Sequence, residues 1–221
     1  MLTASTHPEL LLWTAGLGAV TAEAVATHGG LTVASARARL AAAERAGLLA
    51  RRAPLRGAPA LYTVTRAGLR AVGARGLDPC TVSAASAAHL IECARVAAAL
   101  ECCYRDHRVQ GERALRAEER ERGRALASAE VGAPGAGSRH RPDLVLWPAD
   151  GPPVAVEVEL TVKAPVRLAA ICRAWARTRT VAGVLYLAPP EVERAVTRAI
   201  ATARAGERVV VVPLAAVAAP A

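Results

Sequence analysis

One lysine, Lys163, stands among 221 residues, so nearly all of the 28 basic side chains are arginine and any basic face of this chain is an arginine face. No uninterrupted apolar run reaches the ~18 residues that a membrane span needs, which argues against a spanning helix. The stretch "LLLWTAGLGAVTAEAVA" has the hydrophobicity of a secretory leader, but no basic residue precedes it and the first arginine is Arg37. Leaders open on positive charge, so a cytoplasmic protein is expected, with no membrane partner. The five cysteines, Cys80, Cys93, Cys102, Cys103 and Cys172, are odd in number and lack the paired spacing of a metal site. They are expected as reduced, mostly buried thiols. Neither G-x-G-x-x-G nor a P-loop occurs, which leaves a ligand-sensing regulator without a cofactor fingerprint.

What is present is a 53% hydrophobic composition, enough for one domain with a large core or for two small ones. The formal charge is +9 and the pI about 10.3. The charge is unevenly spread. Between Met1 and Gly76 nine arginines face three glutamates, a net of +6 in the first third. That asymmetry points to a polyanion, most simply double-stranded DNA.

The pattern in residues 1–76 predicts a helix over Pro8 to Val20, a short second one over Thr21 to Thr27, and a turn at "HGG". Thr32 caps a third helix that Gly47 closes. On a 3.6-residue wheel Val33, Ala36, Leu40 and Ala43 share one stripe, with Ser35, Arg39 and Arg45 roughly opposite and Arg37 at the flank. Two strand-like runs then flank a turn carrying Arg56, and "RAGLRAVG" closes the block. Three helices followed by a basic hairpin make a winged helix-turn-helix. Ser35, Arg37 and Arg39 on the third helix, and Arg51, Arg52 and Arg56 in the hairpin, are the candidate DNA-binding residues. Winged helices also dock on proteins, which is the alternative. Residues 77–108 read as an Ala- and Cys-rich helix, either a linker or the surface of a homodimer.

Residues 109–221 alternate helix, strands, helix, strand, helix, strand, which predicts an α/β sheet domain in a protein that is α+β overall. "ERALRAEERERGRAL" from Glu112 is helical, and residues 127–140, rich in Ala, Gly and Ser, read as a mobile loop with room for a short strand at its start. In the strand expected from Val154 to Lys163, a period of two puts Val156, Val158, Leu160 and Val162 on one face. Glu157, Glu159, Thr161 and Lys163 fall on the other. Asp143 lies one short turn away, so a hairpin brings it beside Glu157. Two converging carboxylates are what a hard divalent cation such as Mg²⁺ requires, and such an ion activates water and stabilises charge on phosphate. The plainer alternative is the wet face of a half-exposed antiparallel strand.

"RPD" at 141 to 143 followed by "E-V-E" at 157 to 159 resembles the PD-(D/E)xK nuclease superfamily. The layout of winged helix plus "HRPD…VEVE" domain is similar to the replication-relaxation family of actinobacterial plasmid and mobile-element maintenance. The resemblance implies Mg²⁺ on Asp143 and Glu157, with Glu112 as a third acidic ligand. It also implies catalytic positions at Glu159, which stands where the superfamily has its lysine, and at Lys163. An extended strand puts Lys163 about 13 Å from Glu159 at about 3.3 Å per residue, too far to replace that lysine. His140 and Arg141 are read as turn residues that contact phosphate or solvent. The expected functions are a DNA-binding replication or maintenance factor with a nuclease-like domain that need not cut, an Mg²⁺-dependent DNA endonuclease, or a winged-helix transcriptional regulator.

Overall fold

Thr21, Thr32 and Thr65 each cap a helix in the first part of the chain, accepting the backbone N–H of Ala24, Ser35 and Gly68 through their side-chain oxygens. The computed structural model describes residues 8–133, 135 and 138–217. The chain divides into two compact units after Tyr104, a mixed α/β protein overall. The first unit contains α1 (Pro8–Leu17), α2 (Ala22–Gly29), α3 (Val33–Arg45), β1 (Leu49–Arg52), β2 (Leu61–Val64), α4 (Arg66–Ala71) and α5 (Ala84–Cys103).

The first helix stops short of the expected Val20. Gly18 adopts φ 99, a backbone open chiefly to glycine, and the chain turns so that Val20 bridges to Tyr62 beside the β1–β2 hairpin. Ala36, Leu40 and Ala43 form the buried stripe of α3, while Val33 is half-exposed. Gly68 has a steric reason: a Cβ there would lie 2.3 Å from the Leu48 carbonyl oxygen. Helix α5 belongs to this unit, so the stretch from 84 to 103 is part of a packed body and the second unit begins three residues before β3. Glu101 on α5 accepts from Trp13 Nε1 at 3.0 Å and bonds His28 Nδ1 at 2.6 Å, and the two rings stack 4.1 Å apart.

The second unit runs β3 (Arg108–Gly111), α6 (Glu112–Arg122), β4 (Ala129–Val131), β5 (Ser138–His140), β6 (Leu144–Trp147), β7 (Val154–Val158), α7 (Pro165–Arg177), β8 (Gly183–Ala188), α8 (Pro190–Ala203) and β9 (Val209–Pro213). Its five-stranded sheet has the order β3-β6-β7-β8-β9. The β3–β6 and β6–β7 pairings are antiparallel, and β7–β8 and β8–β9 are parallel through helical crossovers. Leu115, Val145, Ala155, Leu168, Trp175, Tyr186 and Val196 lie in one core between the sheet and its helices.

Two expectations for this unit change, and one for the cysteines of both units. Strand β7 ends at Val158, not Lys163; Glu159 makes one more sheet bond, its N–H donating to the Leu187 carbonyl at 2.9 Å, and the chain then leaves the sheet. Residues 127–140 hold more than a loop with a short strand at its start, because that strand, β4, pairs with β5 as an antiparallel hairpin, Ala129 opposite His140. The rest of that expectation, at Pro134, Ala136 and Gly137, lies outside the described residues. Among the cysteines only Cys93 and Cys172 are buried; Cys80 and Cys102 are half-buried and Cys103 is exposed. Among the described residues no helix is long and apolar enough to cross a membrane.

Candidate functional site

The register Leu144↔Val156 sets Asp143, just before β6, next to Glu157 near the carboxyl end of the central strand β7. Asp143 Oδ2 accepts the Val158 N–H at 2.8 Å, which ties the aspartate to that strand end. The period of two then turns Ala155 and Glu157 towards the face that α7 covers. Glu157 is 3% exposed and Glu159 4%, so the wet-face alternative fails.

Burying carboxylates costs free energy unless each is bonded, and both are. Glu157 Oε1 accepts from Trp175 Nε1 on α7 at 3.0 Å and bonds His140 Nε2 on β5 at 2.7 Å. Both bonds fall on one oxygen; among the described residues Oε2 makes no such bond. Glu159 pairs with the Lys163 ammonium. This corrects the 13 Å separation: an extended strand would hold the two apart, but the chain bends after Glu159 and returns Lys163 to it. The only lysine of the protein therefore lies beside the carboxylate cluster.

The protonation preferences record the same crowding. For Glu159, burial pushes the carboxyl above the usual range; the Lys163 bond and charge oppose this, and Glu157 and Asp143 reinforce it. Burial would lower Lys163, yet Glu159, then Glu157 and Asp143, raise it overall. His140 behaves alike: burial lowers it, the Glu157 charge and bond more than reverse that, and Asp143 adds to the rise against Lys163. Further along, burial and the Glu157 charge push the Cys172 thiol up to about 11 and hold the Tyr186 phenol far above its usual range.

Glu112 stands apart from this set. Its backbone N–H donates to the Asp143 carbonyl at 2.9 Å, but its carboxylate pairs with Arg116 one turn along α6 and is partly exposed. Among the described residues Glu112, Asp143 and Glu157 do not offer three oxygens within 4.8 Å of one another. Asp143, Glu157 and Glu159 do not form such a group either, although each carries a hard oxygen donor of the kind Mg²⁺ takes.

The expected solvated pair His140–Arg141 is instead structural. His140 grips Glu157, and Arg141 Nε donates to Glu119 Oε2 at 2.9 Å. Glu119 Oε1 also accepts from Ser128 Oγ at 2.7 Å and from the Leu126 N–H at 2.9 Å. Burial alone would raise that carboxyl, but the Ser128 and Leu126 bonds and the Arg141 charge hold it below the usual range. Neither Trp175 nor Glu119 had a readable mark in the sequence, since each acts through a partner more than ten residues away or across the sheet.

In the first unit, Arg51, Arg52 and Arg56 are exposed on β1 and the hairpin, and Ser35 and Arg37 are exposed on α3 with Arg39 half-buried. Arg37 is engaged with Glu23 at 3.1 Å, and the Ser35 hydroxyl accepts from Thr32 at 2.9 Å. The three hairpin arginines are therefore the cleaner polyanion candidates. No protein-family model, no curated protein and no solved structure matches this chain.

Proposed function

We propose that the chain is a DNA-binding protein whose first unit, a winged helix, docks on duplex DNA and whose second unit carries a magnesium-dependent, nuclease-type site. The observation that carries this reading is the meeting of the half-buried Asp143 with the buried Glu157 and Glu159 at the carboxyl end of β7, with Lys163 folded back onto Glu159. Open sheets bind ligands outside the carboxyl ends of their strands. Asp143 and Glu157 would hold the Mg²⁺, which when bound activates water and stabilises charge on a phosphate. His140 and Trp175 fix the Glu157 carboxylate through Oε1 and leave its second oxygen to a ligand. Lys163 is, in this reading, the ammonium that stands in for the residue replaced by Glu159. Arg51, Arg52 and Arg56 supply phosphate contacts.

A second reading is favoured by the same pairings. His140 on Glu157 and Lys163 on Glu159 already offset two carboxylates without a metal, which suits a nuclease-like scaffold that does not cut. The protein is then a DNA-binding factor of plasmid or mobile-element replication and maintenance, as the replication-relaxation resemblance implies.

Thermal melts with and without Mg²⁺ or Mn²⁺, run beside incubation with supercoiled plasmid, separate the readings. Metal raises the melting temperature of the wild type by mass action but not that of Asp143→Asn. Metal-dependent nicking supports the first reading, and the absence of nicking, whether or not the melting temperature shifts, supports the second. An absent shift, with Asp143→Asn behaving as wild type, overturns the metal site.

A further inference from the structure

Helices α7 and α8 do not close completely over their shared seam. Between them runs a groove of about 540 Å³, lined by Val162, Pro165 and Val166 on one side and by Ala195, Ala199 and Thr202 on the other. That volume is within the range of about 300–1,000 Å³ typical of small-ligand sites. Val162 and Val166 are 57% and 80% exposed, two of only five large apolar side chains left in solvent among the described residues. Every charged group lining the groove is a cation, namely Lys163, Arg173 and Arg198. An apolar floor with a wholly positive rim fits a ligand that has a flat apolar body and repeated negative charge.

The groove is connected to the carboxylate cluster through one residue. Lys163 lines the groove and also pairs with Glu159, so a ligand seated between α7 and α8 ends beside Asp143, Glu157 and Glu159. We propose that this groove seats an unpaired stretch of DNA strand, with bases against Val162, Pro165 and Val166 and phosphates on Arg173 and Arg198. Duplex DNA keeps its base faces inside the stack, so only an unpaired strand can lay them on this floor, which is aliphatic and holds them by apolar burial instead of by ring stacking. The proposal extends the nuclease-type reading from the reacting cluster to the strand that approaches it, and it names a contact separate from the hairpin arginines of the first unit.

The test uses the full chain and a fluorescein-labelled oligothymidine, followed by anisotropy in metal-free buffer. The double variant Arg173→Ala/Arg198→Ala should bind it roughly 25-fold more weakly at 0.1 M salt, with the log–log salt slope lower by about 1.4, because each single-strand phosphate contact contributes about 0.7. Val166→Ser, at a position 80% exposed, should weaken binding while leaving the charge of the groove unchanged. Binding of a labelled duplex should be unchanged in both variants and should fall in Arg51→Ala/Arg52→Ala/Arg56→Ala. Oligothymidine binding that ignores both groove variants overturns the proposal, as does equal competition by polyglutamate, which would make the groove a general polyanion site. The result is independent of the metal test: loss of binding in the groove variants alongside no metal-induced melting shift keeps the groove and removes the nuclease-type reading.

Discussion

The two units handle charge in opposite ways. In the first, arginines stand in solvent on a small hairpin, and Arg51, Arg52 and Arg56 serve no packing role. In the second, Glu119, Glu157 and Glu159 are folded inside, each with a named partner. Exposed charge is nearly free to keep or remove, whereas buried charge is costly and becomes more so when its partner is lost. Function that depends on long-range attraction suits the first arrangement, and function that depends on fixed geometry suits the second.

That contrast can be broken most severely at Glu119. Glu119→Ala should destabilise the protein by about 3–5 kcal/mol, because it strands the Arg141 guanidinium and the Leu126 and Ser128 donors together; denaturant unfolding measures it. A loss below about 1 kcal/mol would mean that buried charge in this unit is as dispensable as the hairpin's. Next in size is Lys163→Met, which leaves Glu159 without its counter-charge. Its cost should be about 1–2 kcal/mol, below the usual range for a buried pair because the lysine side chain is 34% exposed.

The His140–Glu157 pair sharpens the comparison through pH. The folded-state pKa of His140 lies above its ordinary value of about 6.5, so the pair's contribution is whole below that pH and is lost as pH rises through the folded-state value. Wild type minus His140→Gln should therefore be about 1 kcal/mol at pH 6 and shrink towards alkaline pH. A difference that grows with pH would contradict the pairing. Smallest of all, Arg51→Ala, Arg52→Ala and Arg56→Ala should each change stability by no more than about 0.5 kcal/mol. Their combined effect on duplex binding should be a salt slope lower by about 2.7, at about 0.9 per phosphate contact.

Much of the fold was legible because its determinants are local. The Thr32 cap, the apolar stripe of α3 and the alternation of strands with helices in the second unit each lie within a few neighbouring residues. The approach of Asp143 to Glu157 was legible too, since a short turn between two strands leaves few registers. Strand β3 was missed because it is four residues long and pairs with β6 far along the chain, and β5 because its three polar residues carry no apolar alternation.

By itself the sequence determined where the arginines are concentrated, which residues carry carboxylates on one strand, and that two blocks of different rhythm share the chain. These follow from composition and from periods of 2 and 3.6, which any short segment reveals. Tertiary structure alone decided that Glu157 and Glu159 are buried, that His140 and Trp175 hold one of them, and that Lys163 returns to the other. The physical reason is that burial and pairing depend on what crosses over a strand. The helix α7 that covers Glu157 and the bend that brings back Lys163 exist only once β7, α7 and β8 have closed into one crossover.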